Sequence, residues 1–316
     1  MSRALNRPLD LPAAEGRWMQ RALDLFRPAA RPVRPAVLRL ATGAFSAVHH
    51  LRRRGMFQRL HRQDASQFTP VGVVKVLKRP LPPLVADRLF DAAQIVNAAA
   101  TLGIGHRVTG PLNAALQLWT ISYRNSWTML LHNDNMLVLH QMVLGTTRSA
   151  DALSVDALLR DRTLLPDRFD RAYGGIPTAM NIATTAVYFI SGVAKVRGPL
   201  GLRWAKGDVL RGQIAIDGLR KDLFGSAKPE AGTALYQQKE LFTALAVTAL
   251  AVELGAPLSL LDRRLGQLFS LGAWGMHVGI RIVMGIRFKY NVTGISYLPY
   301  VPLGAQLPAP AVPVVR

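Results

Sequence analysis

Apolar residues in this chain gather into runs of helical length, and nowhere do they alternate with the two-residue period of a strand. The runs fall at 35–51, 92–123, 128–147, 178–196, 241–261, 265–286 and 291–306. A bilayer-spanning helix needs about 20 mostly apolar residues, so each run predicts a span. The run 92–123 is too long for one helix, and Gly103, Gly105, Gly110 and Pro111 predict a break that makes it two. The expected fold is therefore all-α, a polytopic transmembrane helix bundle of about 7–8 spans. A soluble all-α protein with buried helices is the competing expectation. Against it, 265–280 is apolar on all sides, where a surface helix would show a polar face.

Three regions follow. Residues 1–34 form a basic leader, in which Trp18, Met19, Ala22, Leu23 and Phe26 lie at helical spacing between arginines, the pattern of an interfacial helix. Residues 35–306 form the transmembrane domain. Residues 307–316 form a Pro-rich tail, expected to be extended. Within the domain, 151–171 is charged and reads as a loop, and 197–237 reads as a long polar connection broken by Gly198, Pro199, Gly201, Gly225 and Pro229.

Charge sharpens the picture. The net charge is +20, with seven arginines in 1–34 and eight lysines and arginines in 52–79, whereas 172–194 and 290–315 carry no charge at all. Basic residues that flank apolar runs are what membrane-bordering loops show, so a lipid bilayer is the expected partner and nucleic acid is not. Arginines on both sides of the first run leave the orientation open. There is no cysteine, which excludes disulfides and thiolate chemistry. No secretory signal, phosphate loop, dinucleotide fingerprint, nucleophile elbow or zinc-helix motif is present.

Candidate chemistry lies in the few ionisable residues of the apolar runs. Lys195 ends an uncharged stretch of 23 residues. An ammonium there either snorkels to the headgroups, or is desolvated and able to serve as a base. His277 sits mid-run, with Arg281 four residues on along the same helical face, and Glu253 ends the preceding run, where it could neutralise Arg281 or Lys195. His132-Asn133-Asp134-Asn135, with His140 beyond, reads as a polar cavity lining or a helix break. Its spacing does not bring metal ligands together, and no metal is predicted.

These same residues resemble a known group. Leu38-Arg39-Leu40-Ala41-Thr42-Gly43, Gln67-Phe68-Thr69-Pro70-Val71-Gly72-Val73 and Ser149–Asp156 are similar to its opening span and two of its loops. Tyr188–Lys195 resembles its Tyr-Phe-x-(Ala/Ser)-Gly-x-x-Lys signature, and Glu253-Leu254-Gly255 and Met276–Ile280 resemble its last two blocks. The group is the HTTM superfamily, the membrane domain of vitamin K-dependent gamma-carboxylases and their shorter bacterial relatives. The resemblance runs from about 36 to 302. It implies a membrane enzyme in a bacterial inner membrane, using reduced vitamin K or another quinol, with Lys195 as catalytic base. His277 falls on a histidine of the last block, while Arg281, Glu253, Asn133 and Asp134 would surround the cofactor. A peptide or protein is the implied substrate. Two departures stand out: Asp134 follows Asn133 where the carboxylases carry a histidine after tandem asparagines, and the carboxylases continue into a long soluble C-terminal domain where this sequence stops at Arg316. Some short relatives instead imply a non-catalytic role in maturation or export of a secreted peptide.

The chain is expected to stay with membranes through alkaline carbonate extraction and to give a helical circular dichroism spectrum. Recovery of a folded monomer from the cytosolic fraction would contradict this reading.

Overall fold

The computed structural model describes residues 13–127, 134–225 and 234–302, and they are predominantly α-helical. Among them there is no strand, only an isolated antiparallel bridge between Ala30 and Asp170. The long elements are α1 (Ala13–Phe26), α2 (Val33–Leu51), α4 (Pro83–Leu102), α5 (His106–Asn125) and α6 (Asn135–Gly145). They continue with α8 (Arg171–Arg197), α9 (Asp208–Leu223), α10 (Lys239–Gly255) and α11 (Arg263–Met284). Shorter helices are α3 (Arg54–Leu60), α7 (Val155–Asp161) and α12 (Lys289–Val292).

Helix limits follow local chemistry. Asp170, Ser154 and Asp262 cap α8, α7 and α11 with side-chain oxygens that accept from early backbone N–H groups. The 92–123 run does divide, at Gly103 and Gly105. Both hold left-handed backbone (φ 66° and 55°), which a glycine adopts without steric cost. The helix that follows continues straight through Gly110 and Pro111. Gly110 has a different purpose: α5 and α6 meet there backbone to backbone, and a Cβ at Gly145 would lie 2.4 Å from the Gly110 carbonyl oxygen.

Helix α8 is central, lying against α2, α6 and α10, while α5 packs between α4 and α6. Among the described residues, two stretches are long and apolar enough to cross a membrane, Arg171–Arg197 and Lys239–Leu260. Several expectations change. Of the 128–147 run, 128–133 lies outside the described residues, and α6 covers only 11 residues, about 16 Å at helical rise. The 291–306 run does not form a spanning helix. It supplies α12 and a 3₁₀ segment, Ile295–Tyr300, which ends with Pro299 and Tyr300 buried. The charged 151–171 segment holds α7, and the polar 197–237 connection holds a 3₁₀ turn, Gly201–Lys206, followed by the four-turn helix α9. The Pro-rich tail lies outside the described residues.

In the leader, α1 leaves Trp18, Met19, Leu25 and Phe26 exposed. At the other end of the bundle His61 Nδ1 sits 2.8 Å from Asp87 Oδ1, and Arg62 donates to Oδ2 at 2.6 Å, which fastens the segment after α3 to α4. Burial pushes the His61 imidazole below its ordinary range, and Asp87 opposes that shift.

Gly145→Val should force α5 and α6 apart and cost about 1–3 kcal/mol, in the range of overpacked cores. The expected readout is a lowered thermal midpoint of the detergent-solubilised chain, and an unchanged midpoint would refute the close contact.

Candidate functional site

The signature-like stretch of α8 places three side chains on one side. Tyr188, Ser191 and Lys195 follow at spacings of three and four residues, so they line a single face. Gly192, beside them, is the point where α10 comes in: a Cβ there would be 2.9 Å from Glu253 Cβ. That approach brings the Glu253 carboxylate onto the Lys195 ammonium as an ion pair. The ammonium also lies 4.9 Å from the centre of the Trp204 ring, which presents the negative face of its π-system.

Helices α8, α9, α10 and α11 enclose a cavity of about 760 Å³ around this pair. Its wall is mostly apolar, with Val187, Leu210, Ile214, Leu245 and Ile280 among the residues on it. Polar groups converge at few points. Glu253 is only 5% exposed, and its Oε2 has no hydrogen-bond partner among the described residues. Because Oε1 already meets Lys195, Oε2 is a buried acceptor in want of a donor.

His277, on α11, closes the other side. Its Nδ1 is 2.9 Å from the Ala273 carbonyl, which can only accept, so Nδ1 carries a proton. The ring stands edge-on to Phe288 at 4.9 Å and to Tyr188 at 5.9 Å. Tyr188 and Tyr297 share a short hydroxyl contact, and the Asn291 amide donates to both, at 3.3 and 3.0 Å. Both hydroxyls lie within 3.3 Å of His277 Nδ1. A rigid, fully buried cluster thus backs the histidine, and a carboxylate paired with an ammonium faces it across apolar space. Such an arrangement can hold an apolar body, accept a hydrogen bond from its polar head, and exchange a proton at Nζ or Oε.

The residues singled out from sequence fall into separate places. Lys195, Glu253 and His277 line this one cavity. Of Glu253's two expected partners, Lys195 is the one it meets. Arg281 is exposed and does not line the cavity, although Ile280 and Val283 on either side of it do. Asp134 is buried, but its carboxylate is committed to Arg124, Arg53 and His49, although Met136, two residues on, reaches the cavity wall. Asn133 and His132 lie outside the described residues. His140 is fully buried and bonded to Tyr290 and Thr184. Among the described residues no group of three or more possible ligands could hold a metal ion.

Trp204, Asn291 and Tyr297 were not singled out. Asn291 and Tyr297 sit in an uncharged run that reads as a span, and Trp204 in a polar connection. No spacing rule ties any of them to α8. No family model, curated protein or solved structure matches the chain.

Because the chain has no cysteine, a designed pair reports the α8–α10 contact without background. Gly192→Cys with Glu253→Cys should close an intramolecular disulfide under mild oxidation, seen as a reductant-sensitive gel shift. A Cβ at 192 would lie 2.9 Å from the Glu253 Cβ, and a small outward shift brings the pair to the roughly 3.5–4.5 Å that a disulfide spans. A pair that stays reduced would remove the juxtaposition on which the site rests.

Proposed function

We propose that this chain is an integral membrane enzyme of the vitamin K-dependent gamma-carboxylase-like kind, in a bacterial inner membrane. It uses a lipid-soluble quinol, with Lys195 and Glu253 as a proton-handling pair and His277 opposite them. The observation that carries the reading is the convergence of these three residues, from three helices, on one largely apolar cavity.

The distribution of exposed side chains supports a bilayer. Ile95, Val108, Ile190, Leu268 and Leu271 are each at least 63% exposed, while Arg39, Asn97, Gln117 and Arg124 are at most 3% exposed. Apolar outside and polar inside reverses the habit of a water-soluble bundle and suits hydrocarbon as the surrounding solvent.

The cavity fits a quinol. Its volume lies within the usual 300–1,000 Å³ range of small-molecule sites, its wall suits an apolar ring and tail, and the unpartnered Oε2 suits a phenolic O–H donor. When bound, a quinol supplies reducing equivalents and, with dioxygen, a base strong enough for a carbon acid. The chain's own groups would do the rest. Glu253 Oε2 accepts a hydrogen bond from the head group, and the carboxylate takes the Lys195 proton through Oε1, which leaves Nζ a neutral amine able to accept the head-group proton. Lys195 acts as a base only after its own proton has moved on, and Glu253 is the adjacent acceptor. The mostly apolar wall around Glu253, whose side chain is 7% exposed, strengthens its contact with the ammonium.

Binding tests this directly. Titrating the detergent-solubilised chain with a short-chain naphthoquinone should quench the Trp204 fluorescence saturably, and Trp204→Phe should remove that component. Glu253→Gln should weaken binding of the reduced form by about tenfold, the cost of a charge-assisted hydrogen bond. Lys195→Arg should bind and fold yet be inactive, because guanidinium stays protonated. Lys195→Met should also fold and be inactive. Absence of saturable quenching in the unmodified chain would turn the assignment toward a non-catalytic role in peptide maturation or export.

A further inference from the structure

Helices α2, α4, α5 and α6 carry a second set of buried polar residues that the cavity does not use. On α2 these are Arg39, Thr42, Ser46, His49 and His50, at spacings of three, four and one. On α5 they are His106, Asn113, Gln117, Thr120 and Arg124, again one face of the helix. Gln94 and Asn97 of α4, with Asp134 and Gln141 at and within α6, complete a polar seam. From His106 to Arg124 it extends roughly 27 Å at 1.5 Å per residue, close to the hydrocarbon thickness of a bilayer.

Hydrogen bonds link part of this seam. Gln141 donates to Asn97 Oδ1 at 3.0 Å, Asn97 donates to the Gly43 carbonyl at 3.1 Å, and Gln117 donates to Asn113 Oδ1 at 3.3 Å. The links stop short of satisfying it. Among the described residues, eleven buried side-chain polar atoms lack a partner, and six of them lie here: Arg39 Nε and Nη1, His49 Nδ1, and the Oε1 of Gln94, Gln117 and Gln141. Three are carbonyl acceptors and two are guanidinium donors, so no single side-chain rearrangement can serve all of them. Water does both tasks. A cavity of about 20 Å³ lies among Arg39, Thr42, His106, Asn113 and Gln141, room for one water molecule with several polar partners. His106 and Gly145 belong to its wall and also to the wall of a larger cavity of about 980 Å³, rimmed by Arg107, Arg148, Arg160 and Arg168. At the far end stand Asp134, Arg124, His49 and Arg53, the last with a fifth of its side chain exposed.

We propose that this four-helix seam holds a chain of ordered waters and relays protons between the arginine-rimmed cavity at His106 and the Asp134 cluster at the opposite end. A purely structural seam would be expected to pair its polar groups with one another, since an unpaired buried group costs about 1–3 kcal/mol. Six unpaired atoms on four packed helices, with a water-sized hole beside Arg39 and Gln141, fit a hydrated path. Titratable groups stand along it, His106 at one end and His50, His49 and Asp134 toward the other. Arg39 and Arg124 are fixed cations within it, and Arg124 is matched by Asp134. A proton taken up at one end is released at the other, and no redox partner is required.

The inference rests on the membrane reading, and the experiment separates the two. The full chain is reconstituted into phosphatidylcholine–phosphatidylglycerol vesicles loaded with a pH-sensitive dye, and flotation on a density gradient confirms incorporation. A potassium diffusion potential set with valinomycin then drives proton flux. Incorporated protein should acidify or alkalinise the lumen faster than protein-free vesicles. Gln117→Leu and Asn97→Leu should each lower that flux by about tenfold, because leucine can neither donate nor accept a hydrogen bond. Both should keep their helical spectrum and naphthoquinone quenching. Vesicles that float with the protein but show no added flux would overturn the relay while leaving the membrane reading intact. Unchanged flux in Gln117→Leu would overturn it as well. A chain that does not float would remove both.

Discussion

The contact between α8 and α10 at Gly192 sets the geometry of everything around the cavity. With no side chain there, the two backbones close until Glu253 Cβ stands 2.9 Å from where a Cβ of residue 192 would be. Only at that separation does a glutamate side chain reach the ammonium of Lys195, one turn further along α8. The pair then defines where Trp204 can stack and which carboxylate oxygen is left facing the cavity. The carboxylate is the more buried partner, at 7% exposed, and has the ammonium as its counter-ion. The glycine of the signature-like stretch is thus a spacer for the lysine three residues later.

Glycine performs the same service where α5 meets α6, and the two contacts divide the molecule. On one side α8, α9, α10 and α11 surround apolar space. On the other, α2, α4, α5 and α6 turn amides, histidines and arginines toward one another. This division explains why, among the described residues, just Arg171–Arg197 and Lys239–Leu260 are long and apolar enough to cross a membrane. In α2 and α5 about every third or fourth residue is polar and buried, which lowers the average of the whole helix although its outer face remains apolar.

Much of the fold could be read from the residues themselves. The run 92–123 announces its division because Gly103 and Gly105 are placed where a helix must end and restart. Lys195 and His277 are conspicuous because charge and imidazole are costly in apolar runs. Other features were hidden for identifiable reasons. A search for apolar runs discards the interrupting polar residues, although Asn113, Gln117, Thr120 and Arg124 keep helical spacing and form a stripe of their own. Helix α9 and the 3₁₀ turn carrying Trp204 lie in a stretch whose glycines and prolines suggest irregular chain. The run 291–306 has the apolarity of a span without the length of helix to make one, and Pro299 interrupts it. Equal spacing also suggested that Arg281 shares a site with His277, whereas Arg281 is exposed while Ile280, Val283 and Met284 on either side of it line the cavity.

The segment after α11 gives the site a dependence on the order of synthesis. Asn291 and Tyr297, which brace Tyr188 and His277, are contributed by α12 and the 3₁₀ turn that follows. Every helix that walls the cavity precedes them in the chain. A ribosome that has delivered residues through Met284 has therefore supplied those helices while the hydrogen-bonded floor is still missing. The histidine is locked only when the final stretch folds back between helices already in place. Assembly of the site is for that reason a late, closing event, and a chain cut short after α11 would have the walls of the chamber without its anchor.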